Sequence, residues 1–153
     1  MTDRGYALAM TTGLAVLFCI DRTLKWWATH ALVTGKFLIG RSVGMVLAYN
    51  EGIAYGMRLP RLLLMIIVGG IIVSCVFFII RAFYRRARQQ MMALGLIVAG
   101  AFSNLLDRLQ HGYVIDYATV TGWPIFNIAD VMIAAGAVWL IVLAVGRRPK
   151  RAL

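Results

Sequence analysis

Two aspartates in the C-terminal third of the chain could work as a chemical pair. Asp116 lies in the apolar, β-branched segment VIDYATV, and Asp130 lies in FNIADVMI with apolar neighbours on both sides. Two carboxylates held close together and partly out of water do not ionise together easily, so one pKa rises and the pair shares a proton. The ionised member can deprotonate a water while the protonated member donates to a carbonyl oxygen. This chemistry suits peptide hydrolysis and requires neither a metal nor a cofactor.

Asn127 lies three residues before Asp130, which is about one helical turn. Residues three apart share a helix face, and asparagine is a favoured residue at the start of a helix. We therefore expect Asn127 to cap the helix and to orient a carboxylate. The simpler alternative is that these acids are on the water-facing side of the protein and have no chemical role.

The elements that must position these residues are long and apolar. The chain has 153 residues, of which 61% are hydrophobic, whereas soluble domains hold roughly 45–50%. A helix needs about 20 mostly apolar residues to cross a membrane, and four stretches approach this length. They predict a mainly α membrane protein, a single domain over 1–153, with an extracytoplasmic loop over 28–60 and spans at approximately 5–25, 62–80, 89–106 and 128–146.

The net charge of +10 has a pattern that argues against nucleic-acid binding. Nine of the 16 basic residues fall in the N-terminus, the loop between spans two and three, and the C-terminal tail, which share one side if there are four spans. By the positive-inside rule that side is cytoplasmic. The nine are Arg4, Arg81, Arg85, Arg86, Arg88, Arg147, Arg148, Lys150 and Arg151.

The same topology places five of the six acidic residues on the opposite, outer side. Ionisable residues at membrane depth are expensive and are candidates for a functional site. Such a site near the outer face would meet a substrate that enters from the outer leaflet. The five are Asp21, Glu51, Asp107, Asp116 and Asp130.

Five short motifs resemble, in order, those of the lipoprotein signal peptidases, the type II signal peptidases of bacterial inner membranes. The family patterns are D-x-x-x-K, N-x-G-x-A-F, N-x-x-D-R, G-x-V-x-D and F-N-x-A-D. They are matched by Asp21 and Lys25; by Asn50, Gly52 and Ala54; by Asn104, Asp107 and Arg108; by Gly112, Val114 and Asp116; and by Phe126, Asn127, Ala129 and Asp130.

The resemblance implies an aspartyl endopeptidase with Asp116 and Asp130 as its catalytic pair. Its substrate would be a prolipoprotein, cut just before a cysteine that carries diacylglycerol. The enzyme would be a monomer among membrane lipids, without metal, cofactor or nucleic acid, in the inner membrane with both termini cytoplasmic. The family also implies a small extracytoplasmic β-cradle and an amphipathic surface helix, for which the loop over 28–60 offers the room.

Ten further residues of these motifs are expected to bind substrate or support the site. Asp21 and Lys25 can pair at i,i+4, and asparagines can hydrogen-bond the aspartates or the substrate backbone. The chain departs from the family at Ser103 and Ala99, where glycines are usual, and at Tyr55, where Phe is usual. The ten are Asp21, Lys25, Asn50, Gly52, Asn104, Asp107, Arg108, Val114, Asn127 and Ala129.

Three other functions compete with this interpretation. A serine–lysine peptidase would use Ser42, Ser74 or Ser103 with a lysine. A small four-helix transporter would place an acid inside a span, whereas these acids cluster at one face. A non-catalytic lipoprotein-binding relative is the third.

The two cysteines, Cys19 and Cys75, both lie in apolar spans. We predict that they are buried, unpaired thiols.

Overall fold

A computed structural model describes residues 2–32, 36–39, 42–52 and 60–146. These residues form four long helices and three strands. In chain order they are α1 (Asp3–Ala31), β1 (Lys36–Ile39), β2 (Val43–Asn50), α2 (Arg61–Tyr84), α3 (Arg88–Gln110), β3 (Val114–Val120) and α4 (Ile128–Gly146).

All four helices are long and apolar enough to cross a membrane. Each contains one predicted span, and α1 continues beyond the predicted end at residue 25 to Ala31. Helix α2 is apolar on all sides, and it exposes large side chains such as Ile66, Val73 and Phe77. A helix of this kind needs lipid around it. The chain is therefore a multi-pass membrane protein, and the predicted fold class is confirmed.

Helix α3 is the central helix of the bundle and packs against the other three. Its buried face includes Gly100, Ser103, Asn104 and Asp107, which recur at the spacing of one helical side. A Cβ atom on Gly100 would lie 2.4 Å from the backbone oxygen of Ala129 in α4. Only glycine permits this contact, which brings the backbone of α3 against the first turn of α4.

A second glycine contact lies about two helical turns along the same interface. A Cβ atom on Gly136 of α4 would lie 2.5 Å from the backbone oxygen of Ala93 in α3. Small residues at helix interfaces are a common device of membrane bundles, because they let backbones approach closely. The two glycines together set the spacing of α3 and α4.

The strands form one antiparallel sheet in the order β1–β2–β3. Strand β3 comes from the loop between α3 and α4, which explains the β-branched segment around Asp116. In the register of β2 and β3, Asp116 pairs with Ala48, and Val114 pairs with Asn50. The ladder shifts between Met45 and Ala48. The sheet is the small β-structure that the family resemblance implies.

The implied amphipathic surface helix was assigned to the loop over 28–60. The described part of that loop holds the end of α1 and strands β1 and β2. Any such helix within residues 53–59 would lie outside the described residues.

The cysteine prediction is half wrong. Both thiols are free, but Cys19 is exposed at the bundle surface and Cys75 is half-buried. The spans carry apolar residues on their outer faces as well as inside, because lipid rather than water surrounds them. An apolar span therefore does not identify which of its residues lie in the protein interior.

Candidate active site

Asp116 lies in the buried part of β3, with only 2% of its surface exposed. Two amides hold its carboxylate. Asn127 Nδ2 donates to Asp116 Oδ1 over 2.6 Å, and Asn50 Nδ2 donates to Asp116 Oδ2 over 3.1 Å. Both oxygens are thus held by neutral donors from different elements, so the carboxyl group is fixed in orientation.

Asp130 lies in the first turn of α4 and belongs to the cap of that helix. Asn127 Oδ1 accepts the backbone N–H of Asp130 at 2.8 Å, and Asp130 Oδ2 accepts the backbone N–H of Asn127 at 3.2 Å. This reciprocal pair has the form of a capping box, with aspartate in the place of the usual Glu or Gln. The positive end of the helix dipole also favours a carboxylate here. The other oxygen, Asp130 Oδ1, accepts from Asn104 Nδ2 at 2.8 Å.

Asn127 connects the two aspartates. Its side-chain amide donates to Asp116, and its backbone amide donates to Asp130. The residue is fully buried, and its Nδ2 also lies within hydrogen-bond distance of Asn104 Oδ1 and Ile115 O. The predicted cap is confirmed, and the same residue brings together the two carboxylates that the sequence separates.

The electrostatic setting favours a proton on the pair. Burial, followed by the charge of Asp130, raises the pKa of Asp116 to about 6, although the hydrogen bonds from Asn50 and Asn127 oppose the shift. This is the direction that desolvation and a neighbouring like charge both produce. A carboxyl group with such a pKa can carry a proton at mildly acidic pH.

A buried ion network supports the pair from α1 and α3. Lys25 Nζ lies 3.2 Å from Asp21 Oδ2, the i,i+4 pair that the sequence predicts, and 2.8 Å from Asp107 Oδ2. Lys25 also donates to Asn104 Oδ1 at 2.7 Å. It therefore orients the Asn104 side chain, whose Nδ2 donates to Asp130. All three charged groups are fully buried, and the pairing offsets the desolvation of each.

Asp107 links this network to the strand. Its Oδ2 accepts the backbone N–H of Ile115 at 3.2 Å, one residue before Asp116. Asp107 also pairs with Arg22 of α1, a residue that the motif comparison did not select. The position of Arg22 directly after Asp21 in the sequence was the available signal.

Arg108 and Gly52 connect α3 to the segment that follows β2. Arg108 Nη2 donates to Gly52 O at 3.0 Å, and Gly52 N donates to Asn50 Oδ1 at 3.1 Å. Asn50 in turn donates to Asp116, so this chain of contacts orients one of the two aspartates. Val114 pairs with Asn50 in the sheet. The structure therefore brings together the motif residues of this segment.

Two hydroxyl groups that the motifs did not identify bind Asp21. Ser103 Oγ donates to Asp21 Oδ2 at 2.6 Å, and Tyr117 Oη donates to Asp21 Oδ1 at 3.3 Å. The backbone N–H of Ala129 donates to the same Oδ1 at 3.1 Å. Ser103 was noted in the sequence as a departure from the family glycine and as a candidate nucleophile, but not as a partner of Asp21. Tyr117 gave no sequence signal beyond its place next to Asp116.

The serine–lysine alternative does not fit these contacts. The Ser103 hydroxyl donates to a carboxylate, and the Ser74 hydroxyl donates to Gly70 O within its own helix. Lys25 is occupied by two carboxylates and Asn104. A lysine whose ammonium group is bound by these three partners is not available as a general base.

A cavity of about 900 Å³ opens beside the two aspartates. Its polar part contains Asn50, Asn104 and Arg108 in addition to the pair. Its apolar walls come from α2, α3, α4 and the segment before α4, and they include Val68, Ile71, Ile97, Trp123, Phe126 and Ile133. Within the described ranges, no three His, Cys, Asp or Glu side chains gather as a metal site would require.

The fold and the site define a helical membrane protein with paired carboxylates at one end of its bundle, in a cavity with polar and apolar walls. The chain belongs to the signal peptidase (SPase) II family, whose model matches residues 14–145. It is therefore a membrane peptidase.

Curated relatives agree with this assignment, and a solved structure has the same fold. A lipoprotein signal peptidase of Desulfitobacterium hafniense (strain DSM 10664 / DCB-2) is 38% identical over 141 residues, which cover 85% of this chain and 88% of the relative. Another, from Methylorubrum extorquens (strain PA1), is 31% identical over 159 residues, with coverage of 93% and 90%. The solved structure of a bacterial membrane enzyme has the same fold, with a TM-score of 0.81 at 22% identity over 95% of this chain and 94% of that one.

Proposed function

We propose that this peptidase removes signal peptides from prolipoproteins, and that Asp116 and Asp130 are its catalytic pair. The relatives named lipoprotein signal peptidases support the substrate class. The observation that carries the catalytic assignment is the shared anchor: Asn127 donates one hydrogen bond to each carboxylate. A buried and a half-buried carboxyl group held by one asparagine, beside a cavity, have the arrangement that acid–base hydrolysis requires.

The reaction follows from one shared proton. The ionised carboxylate takes a proton from a water, and the resulting hydroxide attacks the scissile carbonyl carbon. The protonated carboxyl donates its proton to the carbonyl oxygen, which gives a neutral tetrahedral intermediate. When the C–N bond breaks, the leaving nitrogen takes up a proton from the carboxyl that accepted it from water. The other carboxylate takes a proton back from a hydroxyl of the intermediate as the new C=O bond forms, so the pair returns to its starting state with one shared proton.

The supporting residues orient this chemistry. Asn50 and Asn127 hold Asp116, while Asn104 and the Asn127 backbone hold Asp130. Donors fixed in advance do not need to reorganise when charge moves between the carboxyls. Arg108 and Gly52 add cavity groups that can bind the backbone of an extended peptide.

The apolar walls of the cavity support a lipid-modified substrate. We propose that the scissile bond lies just before a cysteine that carries diacylglycerol, with the acyl chains in the membrane or against apolar walls such as Val68 and Ile71. A lipid-anchored peptide keeps its cysteine at the membrane surface, so a site at the same depth meets the bond directly. Binding energy from the remote acyl chains can then contribute to catalysis. On this proposal the enzyme acts as a monomer among membrane lipids.

The decisive experiment is a cleavage assay on a diacylglyceryl-modified prolipoprotein with the purified wild type, Asp116→Asn and Asp130→Asn. We expect both variants to fold, as judged by thermal unfolding, and to lose turnover to background. Asp3→Asn is the matched control, because Asp3 pairs with Arg86 and Arg88 away from the cavity, and we expect it to keep wild-type turnover.

The same assay separates the alternatives. Near-wild-type turnover by either Asp116→Asn or Asp130→Asn would refute the assignment of these two residues as the catalytic pair. No cleavage by the wild type would favour a relative that binds lipoproteins without cutting them. Measurable turnover by Ser103→Ala would exclude Ser103 as a nucleophile, because loss of a nucleophile should reduce turnover as far as Asp116→Asn does.

A further inference from the structure

A fully buried carboxylate on α1, Asp21, joins the two segments that carry the catalytic pair. Tyr117 follows Asp116 in β3, and its phenol donates to Asp21 Oδ1 over 3.3 Å. Ala129 precedes Asp130 in α4, and its backbone N–H donates to the same oxygen over 3.1 Å. One carboxylate oxygen therefore holds the chain neighbours of both aspartates.

The Tyr117 hydroxyl makes a second contact with the start of α4. Its oxygen accepts the backbone N–H of Ile128 at 3.1 Å. The first N–H groups of a helix have no partner within the helix, so Tyr117 and Asp21 supply caps from other elements. Burial raises the pKa of the Tyr117 phenol above its usual range, so the group remains a donor to Asp21 at every pH at which the protein would work.

The other oxygen of Asp21 is held from α3. Ser103 Oγ donates to Asp21 Oδ2 at 2.6 Å, and Lys25 Nζ lies 3.2 Å from the same atom. Ser103 is 1% exposed and directly precedes Asn104, which donates to Asp130. The Ser103 hydroxyl therefore fixes the rotation of the carboxylate whose opposite oxygen binds Tyr117 and α4.

We propose that Ser103 and Tyr117 are positioning residues for the peptidase reaction. Acting through Asp21, they hold β3 and the first turn of α4 at one separation, and so they set the geometry between Asp116 and Asp130. The proposal rests on the catalytic roles given above to those two residues. Ser103 and Tyr117 make no bond to the substrate in this scheme.

The kinetic test compares Tyr117→Phe and Ser103→Ala with the wild type. We expect each variant to lower kcat about tenfold while KM stays within about twofold, because small misplacements of reacting groups reduce the chemical step more than binding. The double variant should lose less than the product of the two single losses, since both residues act on one carboxylate.

Tyr6→Phe is the matched control. It also removes a phenol hydrogen bond that links α1 to α3, from Tyr6 Oη to Arg88 O at 2.9 Å, but the bond lies at the other end of the helices. We expect a lower melting temperature with kcat unchanged. Wild-type kcat in Tyr117→Phe, or a rise in KM alone, would overturn the positioning role while the peptidase assignment stands.

A measurement that does not depend on turnover tests the contacts themselves. Hydrogen exchange at the amides of residues 128–130 should be faster in Tyr117→Phe than in the wild type, and unchanged in Tyr6→Phe. Unchanged exchange in Tyr117→Phe would overturn the proposal. If the wild type failed to cleave but exchange still rose, the hydrogen-bonded unit would stand and the proposed function alone would fail.

Discussion

Asp130 shows how one residue can serve the fold and the chemistry together. It closes a reciprocal cap with Asn127 at the start of α4, and the same carboxylate faces the cavity. A negative charge at a helix N-terminus is stabilised by the helix dipole and by backbone N–H donors. This explains how an aspartate remains acceptable at the mouth of an apolar helix.

Part of this site could be predicted from the sequence, and the rest could not because it depends on tertiary contacts. The spacing of Asn127 and Asp130 predicts a cap, because both lie within one helical turn. The bond from Asn127 Nδ2 to Asp116 depends on where β3 returns to the bundle, which no local pattern specifies. The bonds from Tyr117 and Ser103 to Asp21 could not be predicted, because these hydroxyls reach the carboxylate only after α1, α3 and β3 pack together.

At the residue scale, we predict a bell-shaped dependence of kcat/KM on pH. The reaction needs one protonated and one ionised carboxyl, so activity is lost at low pH when both are protonated and at high pH when both are ionised. Because the pKa of Asp116 is raised to about 6, the alkaline limb should begin near that value. The measurement is initial rate against pH, with substrate below KM.

Asn50→Ala provides a directional check on this assignment. Its amide hydrogen bond lowers the pKa of Asp116, so its removal should raise that pKa and move the alkaline limb to higher pH. Asp3→Asn should leave the profile in place. A rate that stays flat between about pH 3 and about pH 10 would contradict a shared proton.

At the element scale, the helices were predictable and the strand pairing was not. Long apolar runs identify spans because every residue in them meets lipid or protein. The pairing of β2 with β3 joins Ala48 to Asp116 across two intervening helices, and such register depends on tertiary contacts. The sequence predicted that VIDYATV is extended, but it did not predict which strand pairs with it.

The contact between α3 and α4 gives the second prediction. Gly100→Ala would place a Cβ atom 2.4 Å from Ala129 O, so the first turn of α4 must move away from α3. We expect a lower melting temperature and a loss of kcat, because Asp130 lies next to the displaced residue. Thermal unfolding and the prolipoprotein assay measure the two effects.

Gly13→Ala is the control for the change of residue type. A Cβ atom there meets nothing within 4 Å, and alanine favours a helix over glycine by about 1 kcal/mol. We expect unchanged turnover and equal or higher stability. If Gly100→Ala matched Gly13→Ala in both measurements, the close approach would not control the site.

At the scale of the whole molecule, charge is sorted along the bundle. Asp3 pairs with Arg86 and Arg88 at the end where α1 begins and α2 turns into α3. Asp21, Lys25, Asp107, Asp116 and Asp130 gather at the other end. Between the two ends, the exposed helix surfaces are largely apolar. This distribution gives the protein two distinct membrane faces, one basic and one that holds the site.

The orientation of these faces in the membrane gives the last prediction. The positive-inside rule predicts that the basic end lies in the cytoplasm and the aspartates near the outer surface. In a Cys19→Ala/Cys75→Ala background, we introduce Arg85→Cys at the basic end and Gln110→Cys at the end of α3, both at exposed positions. A membrane-impermeant maleimide should label Gln110→Cys in intact spheroplasts and Arg85→Cys only after lysis. The reverse pattern would put the carboxylate pair in the cytoplasm, where it could not meet a lipoprotein anchored in the outer leaflet.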